Sequence, residues 1–370
     1  MALTRLAARS ASAVGVTLLI AIVSGLLFSA IQMPIPWLLG PMIGVCAFAR
    51  TVKTVKLSWP GSVRNTGLII VGYAIGIEFT RDTLTEIARQ LPAMVLMTAL
   101  LLALCALIAA GVSRFARIPY PTALTGNIPG GLTQMVALAE ETRGIDMTVV
   151  TFLQTSRLMM IVIFVPLLIY SPWLDGGGAS AAVADLESTA AAPWNGLLPN
   201  ILPYAALCTG LALLASKVKF PTAYLLAPLI AAAGLHLTGL TAPELPAVVL
   251  GAAQLMIGCY VGLLLRPENL PNKMRLIAAS IISGIVLLAG ACGLSYLLTR
   301  LHAMSTPTSL LALAPGGMDQ MGIIAHAIGA DLSIVTCYQL FRTFFIFLAV
   351  PPLLKLLFGY MEKKRGSAAH

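Results

Sequence analysis

Pro129-Gly130-Gly131-Leu132-Thr133-Gln134-Met135 returns 186 residues later as Pro315-Gly316-Gly317-Met318-Asp319-Gln320-Met321, with five of the seven positions identical. An internal repeat of this kind decides the architecture before any single residue is weighed. Its surroundings keep register. Pro121-Thr122 falls on Pro307-Thr308 at the same spacing, and after a slip of one residue Asp146, Gln154, Arg157 and Pro166 fall on Asp331, Gln339, Arg342 and Pro351. Upstream, Pro34 and Leu38-Leu39-Gly40-Pro41 fall on Pro221 and Leu225-Leu226-Ala227-Pro228, and Gly72 and Gly76 on Gly258 and Gly262. The chain therefore reads as a tandem duplication, with one half over 1–170 and the other over 197–370. Between them, Ser171 to Pro193 is rich in Gly and Ala and holds no Lys or Arg, which is the composition of a linker (171–196).

The motif sits in an apolar background. Apolar residues make up 58% of the 370, charged residues only 10%, and mean hydropathy is +0.92, whereas a soluble domain carries roughly 25% charge. Apolar runs of about 18 residues or more, enough to cross a hydrocarbon core of about 30 Å, recur through the sequence. This predicts an all-α membrane protein whose first partner is the lipid bilayer. The six cysteines are scattered through apolar stretches without a CxxC pair, and the four histidines lie far apart, so neither metal nor cofactor is expected. The net charge of +9 comes from small basic groups between apolar segments, which points to membrane topology and away from nucleic acid.

In the first half, spans are predicted near Ala13–Ile31, Pro34–Ala49, Val63–Phe79, Leu91–Val112 and Thr148–Tyr170, with a broken segment, Pro119–Ala139, before the last. If the N-terminus is cytoplasmic and the broken segment enters and leaves on that side, eighteen of the 23 Lys and Arg lie inside. Only Arg81, Arg89 and Arg300 lie outside, and Arg157 and Arg342 fall within spans. The bias fits ten crossings plus two re-entrant segments, both termini cytoplasmic and the linker periplasmic. Two homologous halves of odd crossing number face opposite ways, which is the plan of secondary transporters. Twelve full crossings with parallel halves is the competing arrangement.

Proline followed by two glycines breaks a helix, and a break is tolerated at membrane depth only beside protein or a water-filled cavity. Two such breaks at equivalent positions predict half-helices whose ends bind a ligand, against the plainer reading of a packing kink. On the binding reading the site comprises Pro129, Gly130, Gly131, Gln134, Gln154 and Arg157 from one half and Pro315, Gly316, Gly317, Gln320, Gln339 and Arg342 from the other. Each arginine follows a glutamine by three residues and shares its helix face. Intramembrane arginines generally face a cavity or a partner, so the pair grips an anion, forms ion pairs with groups such as Asp319, Asp146 or Asp331, or snorkels toward the interface. Asp319, where the first half has Thr133, breaks the symmetry and is the candidate for binding a coupling ion.

These residues resemble the AbrB duplication family of bacterial membrane proteins, whose halves each carry a proline-Gly-Gly segment followed by a helix bearing glutamine and arginine. Here those are Ile128–Met135 with Gln154 and Arg157, and Ala314–Met321 with Gln339 and Arg342. Members carry the labels of gene regulator and ammonia monooxygenase, but this sequence has no histidine cluster for copper and no soluble segment large enough for a DNA-binding domain. The architecture is similar to that of cation antiporters and anion transporters with crossed broken helices. The expectation is an inner-membrane secondary transporter of a small organic anion, coupled to protons or sodium, and no enzyme. A cation/proton antiporter and a membrane sensor that binds without transport are the alternatives, and a homodimer is left open.

Overall fold

The computed structural model describes residues 2–31, 33, 35–52, 57–130, 135, 139, 144–169, 201–218, 220, 222–238, 243–264, 273–302 and 304–367. The linker lies outside these residues, as do Gly131, Gln134 and the Asp319 side chain. Among the described residues the regular structure is entirely helical. From the first half come α1 (Ala2–Ala30), α2 (Pro36–Thr51), α3 (Gly61–Gly76), α4 (Arg81–Ala116), α5 (Tyr120–Asn127) and α6 (Met147–Ile169). From the second come α7 (Ile201–Lys217), α8 (Ala223–Leu237), α9 (Ala247–Leu264), α10 (Lys273–Leu301), α11 (Thr306–Leu313), α12 (Met318–Ala327) and α13 (Leu332–Ser367).

Among the described residues, six helical segments are long and apolar enough to cross a bilayer: Ser12–Ala30, Ile87–Ala116, Met147–Ile169, Ala247–Leu264, Lys273–Leu301 and Leu332–Leu354. The protein is thus a multi-pass membrane protein. Ile201–Lys217 and Ala223–Leu237 are apolar but shorter.

The helix boundaries repeat with the sequence. α3 and α9 begin 186 residues apart, α5 and α11 both begin and end 186 apart, and α6 and α13 begin 185 apart. Unusual backbone repeats as well. The residues capping the starts of α2 and α8, Ile35 (φ 50°) and Thr222 (φ 47°), both take the left-handed conformation, which costs an L-residue about 1–2 kcal/mol. Gly144 (φ 84°) and Gly329 (φ 62°) hold equivalent turns just before α6 and α13, where glycine bears no such cost.

The chain forms two compact units, each drawing on both halves. The first comprises Met1–Arg89, Val162–Leu265 and Asp319–Thr336. Within it, glycines let helices of one half pack directly on those of the other. A Cβ at Gly76 would lie 2.5 Å from the Leu229 carbonyl oxygen, and one at Gly72 would collide with that of Leu225, so α3 and α8 run in the same direction where they meet. The equivalent glycines do the same from the other side. A Cβ at Gly258 would lie 2.6 Å from Leu38 O and one at Gly262 2.6 Å from Met42 O, so α9 follows α2. In a bilayer, where apolar burial gives no drive between helices, small residues of this kind permit the close approach that dispersion needs. α3 and α9 themselves meet in opposite directions: Gly67 packs on Ala253, Met256 and Ile257, while the Arg64 guanidinium sits 4.7 Å from the Tyr260 ring centre. The Tyr73 hydroxyl donates to Pro243 O (2.6 Å) and the Trp59 Nε1–H to Met256 O (2.9 Å), tying the halves together at polar points.

The second unit comprises Gln90–Ile161, Arg266–Met318 and Cys337–His370, and it contains both helix breaks. The breaks follow from the prolines. A residue before proline is pushed out of the helical region, and Ile128 (ψ 130°) and Ala314 (ψ 123°) are accordingly extended. Each preceding half-helix is started by a proline in its first turn, and α11 also by the Ser305 side chain, which accepts from Thr308 N at 3.4 Å.

Candidate functional site at the helix breaks

A helix that stops inside a membrane leaves its last carbonyls without intrahelical partners. In the second unit those of α5 and α11 are met by one glutamine and one arginine each, from α6 and α13. Gln154 Nε2 donates to Thr125 O and Ile128 O (both 2.9 Å), and Arg157 Nη1 donates to Asn127 O and Ile128 O (both 3.0 Å). In the other half Gln339 Nε2 donates to Leu311 O (2.7 Å), Ala312 O (3.4 Å) and Ala314 O (3.1 Å), and Arg342 Nη1 to Leu313 O (3.3 Å) and Ala314 O (2.9 Å). Within each pair the arginine Nη2 donates to the glutamine Oε1, at 2.8 Å for Arg157–Gln154 and in a shorter contact for Arg342–Gln339. The three-residue spacing is what makes this possible, because it sets both side chains on one helix face, one turn apart. A cation at the carbonyl end of a half-helix also complements its dipole.

All four side chains are buried: Gln154 is 3% exposed, Arg157 6%, Gln339 0% and Arg342 4%. The contacts that hold the arginines are neutral, and among the described residues neither guanidinium meets a carboxylate. The alternative of ion pairs with Asp146 or Asp331 does not hold. Asp146 Oδ1 instead accepts from the amides of Thr148 (2.9 Å) and Val149 (3.2 Å), and Asp331 Oδ1 from that of Ile334 (3.0 Å), so both cap helix starts. Eleven residues separate each aspartate from the arginine of its helix, about 16 Å along the axis at 1.5 Å per residue. Arg157 and Arg342 lie within electrostatic range of each other and of the buried Cys105 thiol. Among the described residues the Nε of each arginine is buried without a hydrogen-bond partner, and so is the Thr125 hydroxyl.

Pro129, Gly130, Gln154, Arg157, Pro315, Gly316, Gly317, Gln339 and Arg342 thus belong to one compact unit, while Gln320 and Asp319 belong to the other. Gln320, near the start of α12, is 2% exposed, and its Oε1 has no partner among the described residues. Asp319 is the second residue of α12, an electrostatically favourable place for an acid at a helix start. The helix-end carbonyls, Thr125 and Cys105 were missed from sequence. Only the first could have been found there, by asking where the orphan carbonyls of a broken helix go.

Fold and site together define a multi-pass helical membrane protein with a duplicated, buried glutamine–arginine network at two helix breaks. The chain belongs to the AbrB family: residues 37–358 match the family described as transition state regulatory protein AbrB. It is 28% identical over 337 residues to "Putative regulator AbrB" of Escherichia coli (strain K12), covering 91% of this chain and 94% of the relative. It is 25% identical over 355 residues to "Uncharacterized protein YhjN" of Bacillus subtilis (strain 168), covering 92% of each.

Proposed function

We propose that this protein is a secondary transporter of the bacterial inner membrane, carrying a small organic anion in exchange for or together with protons or sodium. The observation that carries the reading is the pair of buried guanidiniums, one at each helix break, held by neutral groups, with an Nε–H on each that has no partner among the described residues. Two desolvated cations without a carboxylate among the described residues are a costly arrangement that an anion entering the site would relieve. Half-helices ending at membrane depth are also the recurrent way in which transporters expose backbone and charge to a solute.

The halves are proposed to be inverted, with ten crossings, cytoplasmic termini and a periplasmic linker. This is supported by α3 and α9, which occupy equivalent positions in the repeat and meet in opposite directions. The pairing of α3 with α8 and of α9 with α2 supports it too, since each contact is the other's counterpart.

A membrane sensor that binds the anion without moving it is the second reading, favoured by the regulatory description of the family. Purified protein in proteoliposomes separates the two. A transporter accumulates a radiolabelled carboxylate, and the uptake follows an imposed proton or sodium gradient. Saturable binding of the same carboxylate to the detergent-purified protein, with no uptake under any gradient, would leave the sensor.

A further inference from the structure

The two arginines occupy equivalent positions, yet their bonding is unequal. A guanidinium has five N–H donors. Arg342 commits four of them to protein acceptors: Nη1 to Leu313 O (3.3 Å) and Ala314 O (2.9 Å), and Nη2 to Gly316 O (3.1 Å) and Gln339 Oε1. Among the described residues only its Nε–H is left, buried and without a partner. Arg157 commits three among the described residues, Nη1 to Asn127 O and Ile128 O and Nη2 to Gln154 Oε1. Among the described residues its Nε–H is likewise buried and unpartnered, and its Nη2 has a single acceptor, Gln154 Oε1. The difference lies in the bond to Gly316 O, beyond the second proline, which has no counterpart from Arg157 to the equivalent Gly130.

We infer that the repeats have divided the work of their arginines: Arg342 is a positioning residue that fixes the second helix break, and Arg157 is the residue that receives the carboxylate of the solute. Nε and one Nη of a guanidinium offer two hydrogens to a planar anion, and charge-assisted pairs of this kind are the strong ones among side-chain hydrogen bonds. Arg157 keeps both. Arg342 keeps one and spends the other on the backbone of the break itself, so removing it takes away four internal bonds against three. The inference rests on the transport reading above for the identity of the ligand. The structural half, which arginine holds its break more firmly, stands independently of it.

The test uses the full-length protein with Arg157→Gln, Arg342→Gln, Arg157→Lys and Arg342→Lys. Thermal melting without ligand should place Arg342→Gln below Arg157→Gln, and the opposite order, or equal melting, would overturn the division whatever the protein transports. In proteoliposomes, Arg157→Gln should raise KM for carboxylate uptake about tenfold or more, the scale of one lost charge-assisted pair. Arg342→Gln should raise it several-fold less. Arg157→Lys should recover folding but only part of the affinity, because an ammonium keeps the charge and loses the fork. Equal KM effects in the two glutamine variants, or full rescue of affinity by lysine at 157, would overturn the assignment. If Arg342→Gln does not fold, Arg342→Lys supplies the comparison. Should wild-type protein take up no carboxylate while the melting order holds, the transport reading fails and the structural division survives.

Discussion

At the residue scale, the glutamines explain how two arginines come to be buried. Each glutamine satisfies helix-end carbonyls through Nε2 and orients the guanidinium through Oε1, so it serves two hydrogen-bonded groups at once. Replacing Gln154 or Gln339 with leucine would keep the volume and orphan both. Each buried polar group left unsatisfied costs about 1–3 kcal/mol, so either variant should melt several degrees lower than wild type. Thermal unfolding of detergent-purified protein checks this, and unchanged melting in both variants would show that water replaces the amides at little cost. The spacing Gln-x-x-Arg was legible in the sequence, and so was the placement of the pair on one helix face. The carbonyls it reaches were not, because they are main-chain groups that carry no residue-type signature. Nor could sequence tell an ion pair with Asp146 or Asp331 from helix capping by the same aspartates. That choice turns on about 16 Å of axial distance, which becomes visible only when the helix start is fixed.

At the element scale, packing of the first unit depends on glycines that face carbonyl oxygens of another helix. The repeat register singled out Gly72, Gly76, Gly258 and Gly262 from the sequence, but gave no hint that each set docks on the other half of the chain, on Leu225 and Leu229 or on Leu38 and Met42. A side chain there meets backbone and the Cβ atoms of Pro228, Ala232 or Pro41, none of which can swing aside as the end of a flexible side chain would. Gly258→Val and Gly72→Val should therefore each destabilise by about 1–3 kcal/mol or more, the cost of overpacking a fitted interface. Gly111, in α4, supplies the control, since a Cβ there meets nothing within 4 Å. Gly111→Ala should be neutral or stabilising by up to about 1 kcal/mol, as alanine is the better helix former. Equal melting of Gly258→Val and Gly111→Ala would refute the close contact. The broken segments were legible because proline acts locally: the extended backbone at Ile128 and Ala314 is what any residue before proline prefers.

At the scale of the whole molecule, hydropathy identified a membrane protein, and six helical segments among the described residues have the length and composition to cross a bilayer. The interleaving of the halves into two compact units was not legible, since composition along a chain does not say which spans become neighbours. The topology proposed from basic residues makes a direct prediction. In a variant lacking the six native cysteines, a cysteine at Ser180 should react with an impermeant thiol reagent from the periplasmic side and one at Ser367 only from the cytoplasmic side. Labelling of Ser180 only from the cytoplasm would remove the inverted arrangement.

The central claim, that the arginine pair at the two breaks serves to carry an anion across the membrane, is tested most directly by counterflow. Vesicles preloaded with an unlabelled carboxylate and diluted into a trace of the labelled one need no driving gradient, only a site that opens alternately to either side. Wild-type protein is predicted to give transient accumulation of label, lost in Arg157→Gln. Absence of counterflow for every carboxylate that measurably stabilises the purified protein would contradict the account.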